Sequence, residues 1–301
     1  MPAVKPPQGR LYRVEGHDLL LHTAGAGTPT AVFLAGAGAV GLDYWPCQQQ
    51  IAEFTTSVVY DRAGTGWSDR SASPARTAAA VADELAALLT AAAVPGPYIL
   101  VGHSLGADYA RVFTSRFPAQ VTGLVLVEPH HEDYNTFLPP ELAAIHQSFD
   151  PGQALAGEIP AEVIELYRSL FNQEMAAWPD EIRKPLVECH LSREWLQTGL
   201  VEAMAARTLY EELRAAGPLP ELPLIVLTAT GIDPFKTAVS GAIPQALLLG
   251  EIEGKTRLYD QIAASVPRGE NRLIDGVGHT TLSMRRPDAI TQAVHDVIDR
   301  R

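Results

Sequence analysis

The feature that most constrains this chain is a short apolar run that leads directly into a glycine-flanked serine. Residues 98–107 read YILVGHSLGA, in which a strand-like run meets the pattern G-x-S-x-G. Leu105–Phe117, closed by Pro118, then continues with helical character. A chain that turns directly from a strand into a helix crowds the backbone on both sides of the turn, and Gly102 and Gly106 remove the Cβ atoms that would collide there. The pattern predicts that Ser104 projects from a tight strand-to-helix turn.

Other apolar runs along the chain are also typical of buried strands. They lie at Ala31–Ala35, Ser57–Tyr60, Leu124–Val127 and Leu224–Thr228, with a weaker one at Arg272–Ile274. Their apolar character is continuous rather than alternating, which indicates burial on both faces of a mostly parallel sheet. Helical patterns at Val81–Ala92 and Asp288–Ile298 and a hairpin pattern at Leu11–Val14 and Leu19–His22 accompany them. The predicted class is α/β, with a central sheet flanked by helices.

The alternation of strands and helices breaks after Val127. Between residues 130 and 217 no strand-like run occurs, and the apolar residues recur at helical spacing. We therefore predict a core domain formed by residues 1–129 and 218–301, with a helical cap (lid) inserted at residues 130–217.

Composition and charge exclude several classes of function. With 301 residues and 47% hydrophobic residues, the chain is too apolar for global disorder. Its formal net charge of −12 repels a phosphate backbone, so no nucleic-acid partner is expected. Two acidic residues interrupt the most apolar long window, Thr77–Val94, so no membrane span is expected.

The cysteine content and the first residues bear on the compartment. Cys47 and Cys189 are the only cysteines and show no metal-binding spacing, so neither a disulfide framework nor a zinc site is expected. The first ten residues contain no apolar core of a secretory signal. These features favour a cytoplasmic location.

Three further segments agree with the serine turn. Residues 31–38 read AVFLAGAG, residues 61–69 read DRAGTGWSD, and residues 276–279 read GVGH. Together the four segments resemble the α/β-hydrolase family: its strand and glycine-rich oxyanion loop, its D-R-x-G-x-G-x-S loop, its nucleophile elbow and its C-terminal histidine turn. The resemblance covers nearly the whole chain, and it implies the α/β-hydrolase fold in a branch of serine esterases and lipases with a helical lid.

The resemblance implies a catalytic triad. A serine hydroxyl is a weak nucleophile at neutral pH, and an imidazole with a pKa near about 6.5 can accept its proton and later return it. The family order of nucleophile, acid and histidine is available as Ser104, Asp233 and His279. Asp233 follows the run 224–228, whereas Glu128 ends the preceding one, where some family members carry the acid. The sequence favours Asp233, with Glu128 as the alternative, although an insertion at 235–268 lengthens the spacing from Asp233 to His279.

The oxyanion hole requires two backbone N–H groups. The resemblance assigns them to Leu105, directly after the nucleophile, and to Ala37 in the glycine-rich loop. Many family members have a histidine before the first glycine of this loop, where this chain has Ala35. We expect the backbone donor to persist without that side chain.

A serine at position 104 favours acyl transfer, because the related dehalogenases and epoxide hydrolases use an aspartate there. We therefore predict cleavage of a small hydrophobic carboxylic ester, lactone or thioester, with no metal or organic cofactor. Apolar and aromatic lid side chains could line the substrate pocket: Leu138, Phe149, Leu155, Ile159, Tyr167, Phe171, Trp178 and Trp195.

Other functions remain open at this stage. The same triad could serve a C–C bond hydrolase, or a lyase or cyclase acting on a ketide-like substrate. From a different class, the fold could form a ligand-binding receptor with vestigial hydrolysis. The sequence does not indicate the oligomeric state.

Overall fold

An eight-stranded sheet forms the centre of the computed structural model, which describes residues 5–70, 76–148, 160–239 and 243–301. Its strands are β1 (Arg10–Val14), β2 (His17–Ala24), β3 (Thr30–Leu34), β4 (Ser57–Tyr60), β5 (Tyr98–His103), β6 (Val121–Val127), β7 (Leu224–Ala229) and β8 (Gly269–Ile274). Their order across the sheet is β1-β2-β4-β3-β5-β6-β7-β8. β2 pairs antiparallel with β1 and with β4, and the remaining neighbours are parallel. The predicted mostly parallel sheet and hairpin are confirmed.

Helices cover both faces of this sheet. One face packs against α1 (Trp45–Ile51) and the C-terminal α13 (Pro287–Asp299), the other against α2 (Ala78–Ala91) and α3 (Leu105–Arg116). Neighbouring residues of one strand belong to different cores: Val32 packs on the α2 and α3 side and Phe33 on the α1 and α13 side, and both are buried. Burial on both faces explains why the strands show continuous apolar runs.

Between β6 and β7, all the regular secondary structure of the described residues is helical. It contains α4 (Tyr134–Phe137), α5 (Pro140–Ser148), α6 (Ala161–Glu174), α7 (Asp180–Leu191), α8 (Arg193–Thr208) and α9 (Tyr210–Ala216). This segment, called the cap below, coincides with the predicted insertion at 130–217, whose status as a separate domain remains a prediction.

Besides α13, three helices follow β7 in the described part of the chain. They are α10 (Pro234–Val239), α11 (Gln245–Ala264), which packs on β7 and β8, and α12 (Leu282–Arg285). The insertion at 235–268 thus supplies all of α11 and all of α10 except its first residue. In the described parts of the chain, no helix combines the length and the apolar character that crossing a membrane requires.

Candidate active site

Ser104 lies at the apex of the turn between β5 and α3. Its backbone has φ 52° and ψ −121°, a strained conformation for a residue with a side chain. The two flanking glycines permit the turn, because a Cβ on Gly102 would lie 2.7 Å from the Cα of Ala107 and a Cβ on Gly106 would lie 1.9 Å from the carbonyl oxygen of Leu34. The local sequence therefore fixes where the serine hydroxyl projects.

The carboxyl ends of the parallel strands bring the other candidate residues to the same edge of the sheet. Glu128 follows β6, Asp233 follows β7, and His279 lies in the loop after β8. All three line one cavity of about 410 Å³ together with Ser104. Ligands of open parallel sheets bind at this edge, so the strand order gathers residues that lie far apart in the sequence.

The imidazole of His279 is paired with Glu128. Its Nδ1 lies 3.2 Å from Oε2 of Glu128. Because an ionised carboxylate only accepts hydrogen bonds, this contact makes Nδ1 the donor and leaves Nε2 of His279 as the basic nitrogen. Glu128 itself has φ 48°, a left-handed conformation at the end of β6.

Further donors surround the carboxylate of Glu128, which is only 1% exposed. The backbone N–H of Ala229 donates to Oε1 at 2.6 Å, and Nζ of Lys255, on α11, donates to Oε2 at 2.7 Å. Burial alone would raise the pKa of Glu128, but the Lys255 ammonium and the hydrogen bonds outweigh burial and lower this pKa from 4.5 to about 2. The carboxylate is ionised throughout the physiological range.

Asp233, the acid that the sequence favoured, makes different contacts. Its Oδ1 accepts the backbone N–H groups of Phe235, at 2.8 Å, and Lys236, at 3.3 Å. Its Oδ2 accepts the backbone N–H of Thr280, the residue after His279. The structure thus differs from the favoured pairing: Asp233 caps the start of α10 and holds the backbone of the histidine turn, whereas the alternative acid, Glu128, contacts the imidazole ring.

A second histidine connects the serine turn with the histidine turn. His103 is buried; its Nε2 lies 3.1 Å from the carbonyl oxygen of His279 and its Nδ1 lies 2.7 Å from the hydroxyl of Tyr44. Since a carbonyl can only accept, Nε2 of His103 carries the proton. Burial, followed by the nearby His279, lowers the pKa of His103 to about 3, so this ring stays neutral. The ring thus links the backbone of His279 to the end of β5, directly before the candidate nucleophile, Ser104.

The two expected oxyanion donors lie next to Ser104. Leu105 is the first residue of α3, so its N–H is one of the amides that have no partner within the helix. Ala37 lies in the loop after β3, where a Cβ on Gly36 would be 3.2 Å from the Cβ of Ser104. Among the hydrogen bonds of the described residues, none uses the N–H of Ala37.

Arg62 braces the backbone of the loop after β3. Its guanidinium is 1% exposed, and it donates to the carbonyl oxygens of Ala35 at 2.6 Å and Gly36 at 2.8 Å. The same group forms a bidentate ion pair with Glu202 of α8, with Nη2 2.8 Å from Oε1 and 2.9 Å from Oε2. Burial lowers the pKa of Arg62, but the Glu202 carboxylate outweighs burial and raises it overall.

Cap side chains enclose the space above the serine. A second cavity of about 190 Å³ shares Ser104 and His279 with the first and extends toward the loop 36–39. Of the apolar lid residues named above, Tyr167, Phe171 and Trp195 line it, whereas Leu138 and Trp178 are buried in packing. Phe149, Leu155 and Ile159 lie outside the described residues. The two cavities offer apolar surface on both sides of the serine.

Three residues of this site were not predicted from the sequence: Lys255, Arg62 and Glu202. Arg62 stood within a recognised loop motif, and a charged side chain directly after an apolar run was a usable signal. Lys255 and Glu202 carried no such signal, because each meets its partner across more than a hundred residues of sequence.

Comparisons with known proteins agree with this architecture. The model of the alpha/beta hydrolase family matches residues 31–293. The chain is similar to the uncharacterized protein YqjL of Bacillus subtilis (strain 168), with 35% identity over 127 residues, which are 42% of this chain and 50% of YqjL. The chain spans half or less of the length of such curated relatives.

Two solved structures share the fold over nearly the full length. A thermophilic esterase from Thermogutta terrifontis is 20% identical, with 97% of this chain and 98% of that chain covered and a TM-score of 0.63. A laboratory-evolved variant of the potato epoxide hydrolase StEH1 is 19% identical, with 98% and 99% covered and a TM-score of 0.70. From the family match over most of its length, the chain belongs to the alpha/beta hydrolase family.

Proposed function

We propose that this protein is a serine hydrolase that cleaves a small hydrophobic carboxylic ester, lactone or thioester through an acyl-enzyme on Ser104. The observation that carries the proposal is the contact of Nδ1 of His279 with Glu128, because it leaves the basic Nε2 for a serine that lines the same cavity. In this proposal the acid of the triad is Glu128, the alternative from the sequence, rather than Asp233.

The reaction has two steps, acylation of Ser104 and hydrolysis of the acyl-enzyme. Oγ of Ser104 attacks the carbonyl carbon of the ester while its proton moves to Nε2 of His279, and the oxyanion accepts the N–H groups of Ala37 and Leu105. The bond to the leaving oxygen or sulfur then breaks, and His279 returns the proton to the leaving group. Water repeats the sequence on the acyl-enzyme, which releases the acid and restores the hydroxyl of Ser104.

Glu128 contributes by stabilising the imidazolium of His279 and by fixing its tautomer. A buried carboxylate that is ionised at all working pH values is suited to this task, since the positive charge on His279 arises in both halves of the reaction. Asp233 is proposed to position the same residue from its backbone side, through the N–H of Thr280.

The dimensions of the site favour a small substrate. The cavity of about 410 Å³ lies in the lower part of the range for drug-sized ligands, and Tyr167 and Phe235 present aromatic rings to it. Position 104 is serine rather than aspartate, which favours an acyl rather than an alkyl intermediate. The similar structure from Thermogutta terrifontis is that of an esterase, which agrees with this class of reaction.

The test combines active-site labelling with graded substrates. We expect a fluorophosphonate probe to label the wild type but not Ser104→Ala, and p-nitrophenyl esters of increasing chain length to give a burst followed by turnover. Absence of both labelling and burst in the wild type would refute the acyl-enzyme. Labelling without steady turnover would instead support a ligand-binding receptor.

Two matched amide variants assign the acid. Glu128→Gln is expected to lower kcat by about 10³- to 10⁴-fold, because the amide no longer stabilises the imidazolium. Asp233→Asn keeps one oxygen for the N–H groups at the start of α10, and we expect its kcat to fall by about tenfold or less. The reverse ranking of the two variants would return the role of the acid to Asp233.

A further inference from the structure

In the oxyanion loop, defined here as residues 35–38, two carbonyl oxygens and two N–H groups have side-chain hydrogen-bond partners. Arg62 donates to the carbonyl oxygens of Ala35 and Gly36, and the N–H of Gly36 donates to the hydroxyl of Tyr44 at 3.4 Å. The N–H of Gly38 donates to Oε2 of Glu202 at 2.8 Å. The amide left between these anchored groups is that of Ala37, the proposed oxyanion donor.

Glu202 is the member of this set that comes from the cap. It lies on α8, and its two carboxylate oxygens accept from Arg62 as well as from Gly38. Its side chain is 15% exposed, so bulk water does not replace these contacts readily. The Glu202 side chain therefore contacts the loop directly, through the N–H of Gly38. It also contacts the loop indirectly, through Arg62, which donates to the carbonyl oxygens of Ala35 and Gly36.

The backbone of α8 also touches the loop. A Cβ on Gly199 would lie 3.2 Å from the Cα of Gly38, and a Cβ on Gly38 would lie 3.1 Å from the Cα of Gly199. Two glycines thus allow the helix and the loop to pack backbone against backbone. This second contact, independent of any charge, places Glu202 within reach of Gly38.

We propose that Glu202 is a positioning residue through which the cap holds the oxyanion loop in its catalytic shape. This inference rests on the proposed function, since it presumes that the N–H of Ala37 receives the oxyanion. The hole is complete only while α8 is seated on the loop, so cap position and stabilisation of the transition state are coupled. Glu202 touches no reacting atom and acts through Gly38 and Arg62.

The test compares three substitutions on α8. Glu202→Ala removes the acceptor for Gly38 and the partner of Arg62, and we expect kcat for a p-nitrophenyl ester to fall by about tenfold or more while KM changes less than about threefold. Glu202→Gln retains an oxygen for the N–H of Gly38, and we expect it to recover part of kcat. Glu194→Ala is the matched control, because Glu194 lies on the same helix in an exposed pair with Arg70; it should leave both constants unchanged.

A fourth variant reaches the loop without changing a charge. Gly199→Ala presses a methyl group against Gly38, and we expect it to lower kcat by several-fold with the ion pair intact. This variant keeps the proposal testable if Glu202→Ala does not fold, since an unpaired buried Arg62 is destabilising.

Hydrogen exchange gives a readout that does not depend on turnover. We expect the amides of residues 36–39 to exchange faster in Glu202→Ala than in the wild type and Glu194→Ala, even if the wild type hydrolyses no ester. Unchanged exchange in Glu202→Ala, or a kcat equal to that of the wild type, would overturn the positioning role. If the wild type itself neither reacts with fluorophosphonate nor turns over, the proposed function fails, and exchange alone then shows whether the cap holds the loop.

Discussion

The buried pair of Lys255 and Glu128 predicts a specific loss of stability when the lysine is removed. Lys255→Met keeps the length of the side chain but deletes the ammonium that lies 2.7 Å from Oε2 of Glu128. The displacement of the Glu128 pKa from 4.5 to about 2 corresponds to about 3 kcal/mol. Lys255 is 5% exposed and Glu128 is 1% exposed, so solvent screens little of this interaction. We expect the free energy of unfolding to fall by about 3–5 kcal/mol at pH 7, as for other broken buried pairs.

The pH dependence of this loss has a definite sign. In the wild type the pKa of Glu128 is depressed, so this group binds fewer protons in the native state than in the unfolded state between about pH 2 and 4.5. Its contribution to stability therefore rises with pH across that window and is constant above it. Without Lys255 no ammonium offsets burial, so the pKa of Glu128 is higher than in the wild type, and the stability that Lys255 contributes is lost as the pH falls through this higher value. The difference between the two proteins therefore shrinks as the pH is lowered from 7 toward 4.

Urea unfolding at several pH values measures both effects, and a double mutant separates them. Lys255→Met combined with Glu128→Gln removes both charges and should recover at least about 2 kcal/mol relative to the sum of the single variants. Lys236→Met is a matched control, because the pair of Lys236 with Glu251 is more exposed, at 27% and 12%, and should contribute only about 1 kcal/mol.

The stabilising role of the buried ion pair would be refuted by a loss below about 1 kcal/mol in Lys255→Met at pH 7. It would also be refuted if the loss were the same at pH 4 and pH 7, since that result would assign the effect to packing rather than to charge.

Three further predictions follow from close contacts and burial. Gly106→Ala places a Cβ 1.9 Å from the carbonyl oxygen of Leu34, and we expect thermal unfolding to show a loss of more than about 2 kcal/mol, with an unchanged melting temperature as the contrary result. Gly278→Ala places a Cβ 2.4 Å from the Cα of Asp233, so steady-state kinetics should show a lower kcat because the histidine turn shifts; unaltered kinetics would contradict this. Burial raises the pKa of the Cys47 thiol, so Ellman's reagent should react with it quickly only after unfolding.

The fold could be predicted because its signals are local. The continuous apolar run of β3 follows from burial on both faces, and the glycines around Ser104 follow from the crowding of a strand-to-helix turn. Local signals could not identify the carboxylate that pairs with His279. Glu128 and Asp233 both stand at the ends of neighbouring parallel strands, and no short-range pattern distinguishes their positions relative to His279.

The missing information lies in contacts between distant parts of the chain. Lys255 reaches Glu128 because α11 packs on the sheet beside β7. The segment that lengthens the chain between Asp233 and His279 is the one that carries this lysine. The insertion that made the acid uncertain is therefore also the element that supplies its counter-charge. A carboxylate can be buried at the end of β6 because a cation accompanies it there.

Both candidate acids restrain His279, but each restrains a different part of the residue. Glu128 accepts from the ring nitrogen and so sets the rotation and tautomer of the imidazole, whereas Asp233 accepts the N–H of Thr280 and so sets where the backbone of the turn lies. His103 adds a third restraint through the carbonyl oxygen of His279. In the proposed mechanism, where the imidazole accepts a proton from Ser104 and returns it to a leaving group, all of these restraints must be constant through the cycle. Two carboxylates at adjacent strand ends therefore have complementary rather than redundant tasks, which is why position along the sheet alone does not identify the acid.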